Sequence, residues 1–236
     1  MTRRRWIADE VAGDRAALVG SHAEHLSRVL RARVGQEFDI STDKGVRRGR
    51  IAAIQEGRIE FELAEEVAAA TELAVTLVLS IFKFDRMEWA IEKCTELGVR
   101  EIVPVIAQRT DAHLAAAAAK RVERWRRIAR EASEQSRRVQ APEVTAPMKL
   151  KEAAGLPGQR RIFLAEFNAS SSLKEALQAS SQEPIVIAVG PEGGWTETEH
   201  GSFTEAGWIA ASLGSTILRA ETAAIAAMAL VAAEIG

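Results

Sequence analysis

The chain has no tyrosine and a single cysteine, and aromatic residues fill only 5% of its 236 positions. So few aromatics exclude repeated stacking platforms for single-stranded nucleic acid. One thiol, Cys94, closes no intrachain disulfide and builds no cysteine-based zinc cluster. The four histidines, at 22, 25, 113 and 200, lack HExxH or similar ligand spacing, so no metal is expected. No apolar run reaches the roughly 18 residues of a membrane span. The opening MTRRRWIADE lacks the apolar region of a signal peptide, so the expected location is cytoplasmic, away from membrane. The remainder is ordinary globular material: 47% hydrophobic and 27% charged, enough for one large domain or two small ones.

The formal net charge of -2 conceals segregation. Residues 1–50 carry 11 Lys/Arg against 7 Asp/Glu, and residues 120–138 carry 8 against 3, whereas 139–236 carry 6 against 11. Two basic patches on a near-neutral chain suit contact with a polyanion over a limited face. Nearly all these cations are arginine, whose planar fork of donors matches phosphate oxygens. The alternative for each patch is a solvated helix surface. Arg3, Arg4, Arg28, Arg31, Arg33, Arg137 and Arg138 in these patches, with Arg86 outside them, are the candidate contacts to such a polyanion.

Periodicity divides the chain near residue 70. Residues 1–70 read as a β-rich module: a helix from Ser21 with Leu26, Val29 and Leu30 on one face, then strands EFDISTD, RRGRIAAI and RIEFELAEE broken at Gly45, Gly49 and Gly57. The stretch 67–74 is the expected linker. From 71 to 236, strands at 76–83, 101–108, 161–167, 184–190 and 209–214 alternate with helical patterns at 86–99, 114–136, 170–180, 196–208 and 221–235. Thr196 and Glu199 form a capping-box pattern. Such alternation predicts an α/β fold with a parallel sheet covered by helices. Eight alanines in 220–235 predict a last helix packed very closely against its neighbours.

Two loops follow predicted strands at the end where open parallel sheets bind ligands. In GPEGGWTETE, Gly190, Gly193 and Gly194 let a ligand approach the main chain, beside Pro191. No GK[ST] or GxGxxG spacing is present, and Glu192 opposes a triphosphate, so a neutral or cationic ligand fits better. A ligand-free tight turn explains the same glycines. In LGSTILRAET, apolar Leu213, Ile217 and Leu218 beside Gly214 suit a slot for a flat heterocycle. Glu221 and Thr222 read equally as helix-start residues. Arg219 is less easily explained: a cation ahead of a helix N-terminus opposes the dipole, so an anionic partner is expected elsewhere.

GPEGGWTETE at 190–199, LGSTILRAETAAIAA at 213–227, KFDRMEWAIEKCTELGV at 83–99 and EQSRR at 134–138 resemble, in order, the signatures of the RsmE family. The stretch HLSRVLRARVGQEFDI at 25–40 is similar to that family's N-terminal PUA-like RNA-binding module. Two departures stand out: Arg137 replaces the family's usual glycine before Arg138, and Ala165-Glu166 stands where relatives often carry His-Glu. The resemblance implies a SPOUT methyltransferase domain over 71–236 with a C-terminal trefoil knot, preceded by the PUA-like domain over 1–70. It implies S-adenosylmethionine (SAM) as donor, a homodimer, and N3 of one uridine in the 16S RNA of the small ribosomal subunit as acceptor. Leu164, Gly190, Pro191, Glu192, Gly193, Gly194, Leu213, Gly214, Leu218 and Thr222 would then hold SAM, mostly through backbone groups.

Methylating uracil N3 requires loss of its proton and in-line approach to the methyl group, so positioning dominates. On the same resemblance, Arg219 is the candidate that stabilises the developing anion, with Arg138 as a contribution from a second subunit and Glu192 or Glu221 as proton acceptor. Three alternatives stand beside this reading: a related methyltransferase acting on transfer RNA or a ribose 2′-OH, a non-catalytic RNA-binding assembly factor, and a nucleotide-binding oxidoreductase.

Overall fold

The computed structural model describes residues 5–68, 73–178 and 184–235. Arg3, Arg4 and half of the expected linker, residues 69–72, lie outside the described residues. Two compact units emerge: 1–70 with 133–141, and 71–132 with 142–236.

The first unit is a six-stranded sheet. Its strands are β1 (Arg5–Ile7), β2 (Glu10–Ala12), β3 (Arg15–Val19), β4 (Glu37–Thr42), β5 (Gly45–Gln55) and β6 (Arg58–Val67). They run in the order β1-β4-β5-β6-β3-β2, with only β1 and β4 parallel. Alternation in β6 puts Ile59, Phe61 and Leu63 into a core with Trp6, Leu18, Leu26, Ile40 and Ile51. Burying each such side chain stabilises by about 1.5–3 kcal/mol. Gly49 is no strand break. It sits inside β5, where an added Cβ would lie 2.4 Å from Ile40, so glycine there permits the close packing of β4 on β5.

The expected helix after Ser21 is shorter than its pattern. Only α1 (Ser21–Glu24) is α-helical, followed by a π-helical turn over His25–Val29. Gly20, with φ 58°, is the cap and Ser21 makes no capping bond. The wider turn rotates Val29 and Leu30 off the core face, leaving them 65% and 39% exposed while Leu26 is fully buried.

Residues 133–141, expected in the second domain, pack with the first unit. The Arg5 guanidinium donates to the Arg137 carbonyl, and Ser41 Oγ donates to the Arg138 carbonyl at 3.4 Å. Burial lowers the pKa of Arg5, Asp39 opposes that shift, and the Arg137 charge adds to it. Arg137 itself has φ 61°, in the left-handed region where glycine carries no Cβ penalty. Glycine would adopt this conformation without that penalty. Arg137→Gly should therefore stabilise the protein by about 0.5–1 kcal/mol, relief of left-handed strain exceeding the added chain entropy. An unchanged or lower urea midpoint would contradict this.

The second unit is a parallel sheet with helices on both faces. Its strands are β7 (Val75–Ser80), β8 (Glu101–Ile106), β9 (Glu143–Val144), β10 (Met148–Lys149), β11 (Arg160–Leu164), β12 (Ser171–Ser172), β13 (Ile185–Val189) and β14 (Ile209–Ser212). The order is β10-β8-β7-β13-β11-β14-β12, with β9 beside β8, and every pairing is parallel. The helices are α2 (Phe84–Glu96), α3 (Ala112–Ala118), α4 (Val122–Ser136), α5 (Leu150–Ala154), α6 (Leu173–Gln178), α7 (Glu197–Glu205) and α8 (Ala220–Ile235). All six residues of β7 and all five of β13 are buried, as continuous apolar strands in a two-faced sheet must be. The expected long helix at 114–136 is split by a 3₁₀ turn at Ala119–Arg121. Ala220, Ala224 and Ala227 on α8 are buried, which lets this helix come close to its neighbours. Cys94 is buried, and burial pushes its thiol pKa up, so the sulfur stays protonated. No described helix is long and apolar enough to cross a membrane.

Candidate functional site

Because the strands of the second unit are parallel, the loops leaving β8, β11, β13 and β14 emerge at one end of the sheet. They enclose a cleft of about 770 Å³. Leu164, Gly190, Pro191, Glu192, Gly193, Gly194, Leu213, Gly214 and Leu218 all line it. Two loops separated in sequence thus form facing parts of one cavity.

The first loop is built tightly. Gly194 N–H donates to the Pro191 carbonyl at 2.8 Å, closing a turn. Thr196 then caps α7 in a full capping box with Glu199. The other Glu199 oxygen accepts from the Gln108 N–H at 2.7 Å, fastening the segment after β8 to the loop's exit. Trp195 Nε1 donates to the Leu164 carbonyl at 3.0 Å and its ring meets Phe203 edge-on. A Cβ on Gly190 would stand 3.3 Å from that indole, and one on Gly193 would stand 3.2 Å from Arg109 Cδ. Arg109 also donates to the Gly193 carbonyl. In the second loop Gly214 has φ 126°, a conformation that side-chain-bearing residues rarely adopt.

The cleft offers glycine backbone, an apolar wall from Leu164, Leu213, Ile217 and Leu218, and carboxylates at Glu166, Glu192 and Glu197. A donor with an adenine ring and a cationic sulfonium fits that set: apolar surface for the heterocycle, close-approach backbone for polar atoms, and negative charge for the cation. Among the described residues no group of three or more His, Cys, Asp or Glu could hold a metal.

Several expected residues stand elsewhere. Thr222 is exposed on α8 and does not line the cleft, because it sits in the helix's first turn on the solvent side. Arg219 does not line it either, although its neighbours Leu218 and Ala220 do. The anionic partner expected for Arg219 is not found: it is exposed and makes no ion pair among the described residues. Arg86, expected on RNA, is instead held by carboxylates: Nη1 lies 2.9 Å from Glu192 Oε1 and Nε 3.7 Å from Glu221 Oε1. Glu192, expected as a proton acceptor, therefore has one oxygen engaged. Arg137 and Arg138 belong to the first unit.

Much of the second basic patch is also occupied. Arg124 grips Glu88 with two bonds of 2.6 and 2.7 Å, Arg121 stacks 4.7 Å from the Phe84 ring, and Arg126 reaches Glu123 and the Val144 carbonyl. Exposed pairs of this type contribute roughly 0–1 kcal/mol each, so they are surface trim rather than a reserved phosphate site. In the first unit, by contrast, Arg28, Arg31 and Arg33 are exposed and free of ion pairs among the described residues.

Sequence reading missed Arg109, Phe167, Asn168 and His200, all on the cleft wall. The available signal was position: each of the first three follows a parallel strand at its ligand-binding end.

A model of the RNA methyltransferase domain matches residues 69–232. A ribosomal RNA small subunit methyltransferase E from Synechocystis is 34% identical, the match covering 90% of this chain and 71% of that one. The structure of the Neisseria gonorrhoeae enzyme of the same name, bound to SAM, aligns with TM-score 0.85 at 35% identity, covering 97% of this chain and 96% of that one. A Legionella pneumophila structure with bound SAM aligns with TM-score 0.86 at 26% identity over 99% and 98% of the two chains. The match in sequence and in fold runs over nearly the whole chain, and the chain belongs to the RsmE family of RNA methyltransferases.

Proposed function

We propose that the protein transfers a methyl group from SAM to N3 of one uridine in the 16S RNA of the small ribosomal subunit. The observation that carries this reading is the cleft formed by the 190–195 and 213–218 loops. Bound there, the donor supplies an activated methyl on a sulfonium. Leu213, Ile217 and Leu218 offer apolar contact to its adenine, and the 190–194 backbone orients its polar atoms. Arg219, exposed beside the cleft and without an ion pair among the described residues, stabilises charge developing on the uracil carbonyls as N3 loses its proton in this reading. Because N3 lies on the pairing edge, the uridine must leave its stack. The relatives' names and the bound SAM of two of them support the same substrate class and donor.

The finer architecture belongs to this proposal too. We read 71–236 as a SPOUT domain with a threaded C-terminal segment, a reading supported by the alanine-faced packing of α8. Residues 1–70 are read as the PUA-like RNA-binding domain. Phe167 and Ile217, each 71% exposed at the cleft, fit a homodimer in which a second subunit covers the mouth. The cytoplasm, where ribosomes assemble, is the matching location.

Incubation with 30S subunits and SAM, followed by mass spectrometry of nuclease fragments, should locate one methyl group on a uridine base at N3. A ribose methyl, methylation of transfer RNA alone, or no transfer would contradict the proposal. Arg31→Glu with Arg33→Glu should weaken RNA binding and lower the slope of log K against log salt by about 1.5, the loss expected for two phosphate contacts. An unchanged slope would place the RNA elsewhere.

A further inference from the structure

The cleft's two loops are separated by α7 and β14, and one side chain of α2 reaches an acidic residue in or beside each. Arg86 Nη1 meets Glu192, within the glycine loop, at 2.9 Å, and its Nε faces Glu221, in the first turn of α8, at 3.7 Å. Glu221 directly follows the apolar loop, and α2 packs along α8. The Glu221 side chain is only 6% exposed, and its Oε2 is buried without a hydrogen-bond partner among the described residues. Arg86 is the single ion-pair partner of Glu221 among the described residues.

A glycine-rich loop that presents backbone to a ligand carries a large entropic penalty unless something outside it selects one conformation. Arg109 supplies one tether at the Gly193 carbonyl. Arg86 supplies the other, and a planar guanidinium spans two carboxylates where an ammonium would act as one point charge. Resting on the donor-binding reading above, we infer that Arg86 is a positioning residue that fixes the two donor-binding loops relative to each other through Glu192 and Glu221, rather than a contact to RNA. Glu192 then serves to hold its loop instead of taking the uridine proton.

Titration of the full-length protein with SAM, together with initial rates on 30S subunits, tests this. Arg86→Ala should weaken SAM binding at least 10-fold and raise KM for SAM, with kcat at saturating SAM and KM for the 30S subunit within about twofold. Glu192→Gln, an isosteric change at a residue with 42% of its side chain exposed, should weaken SAM binding as well and guards against a folding failure of the first variant. The double variant should lose less SAM affinity than the product of the two single losses, because both changes break the Arg86–Glu192 pair. Unchanged SAM affinity in Arg86→Ala with a raised KM for RNA and a smaller salt slope would overturn the inference in favour of a phosphate contact. Multiplicative losses in the double variant would overturn it too. A wild-type protein that binds no SAM would instead defeat the donor-binding reading itself.

Discussion

Arg219→Ala should reduce kcat for methyl transfer to 30S subunits by about 10²–10³-fold, the usual effect of deleting one donor to a developing anion. SAM affinity should stay within about threefold, because Arg219 does not line the cleft although Leu218 and Ala220 on either side do. The fold should not suffer. Arg219 stands just ahead of α8, its carbonyl accepting from Ala223 N–H at 2.8 Å, so its charge opposes the helix dipole. Removing that charge relieves roughly 0.3–1 kcal/mol of repulsion at an exposed helix end. On the proposed mechanism this cation, with no carboxylate to compensate it among the described residues, meets the charge that develops on the substrate. Near-wild-type turnover in this variant would remove Arg219 from the reaction.

The second large effect concerns the donor. Gly193→Val should weaken SAM binding by about 100-fold or more, equivalent to about 2.7 kcal/mol. Gly193 lines the cleft, and its missing Cβ would already stand 3.2 Å from Arg109 Cδ. Arg109 in turn donates to the Gly193 carbonyl, so it cannot move aside without releasing the loop. The valine methyls therefore enter the cleft or break the tether, and either outcome removes donor contacts. Overpacking of this type costs about 1–3 kcal/mol even where no ligand is involved, so a melting curve must accompany the titration. A folded Gly193→Val protein with unchanged affinity would place the donor outside this cleft.

The α/β pattern of 71–236 was legible because buried parallel strands and amphipathic helices leave distinct periods, as in β7, β13 and α2. The capping box at Thr196 was equally readable, since it depends on two side chains three residues apart. What local pattern could not supply is long-range pairing. Arg86 sits 106 residues from Glu192, and no spacing rule joins them, so its charge read as free for phosphate. The same applies to Arg124, whose partner Glu88 is 36 residues away. The helix after Ser21 failed for another reason: a π-helical turn changes the period itself, and Val29 and Leu30 follow the altered winding to the surface. Glycine signals were ambiguous in kind. Gly214 is required by its positive φ, whereas Gly49 is required by the approach of Ile40, and the sequence alone presents both simply as glycine. The RsmE motifs coincide with the two loops that line the cleft, and both were readable because each is a short run of glycine or apolar residues. They could not reveal Arg109, which reaches the site from the segment after β8.

Every part of the account requires that the cleft between residues 190–195 and 213–218 accept SAM. Isothermal calorimetry of the purified protein with SAM, and separately with its demethylated product, measures this directly. Saturable binding of both ligands, weakened about 100-fold or more in Gly193→Val and retained in Arg219→Ala, is the expected result. Absence of heat and of any thermal-shift response with either ligand would contradict it.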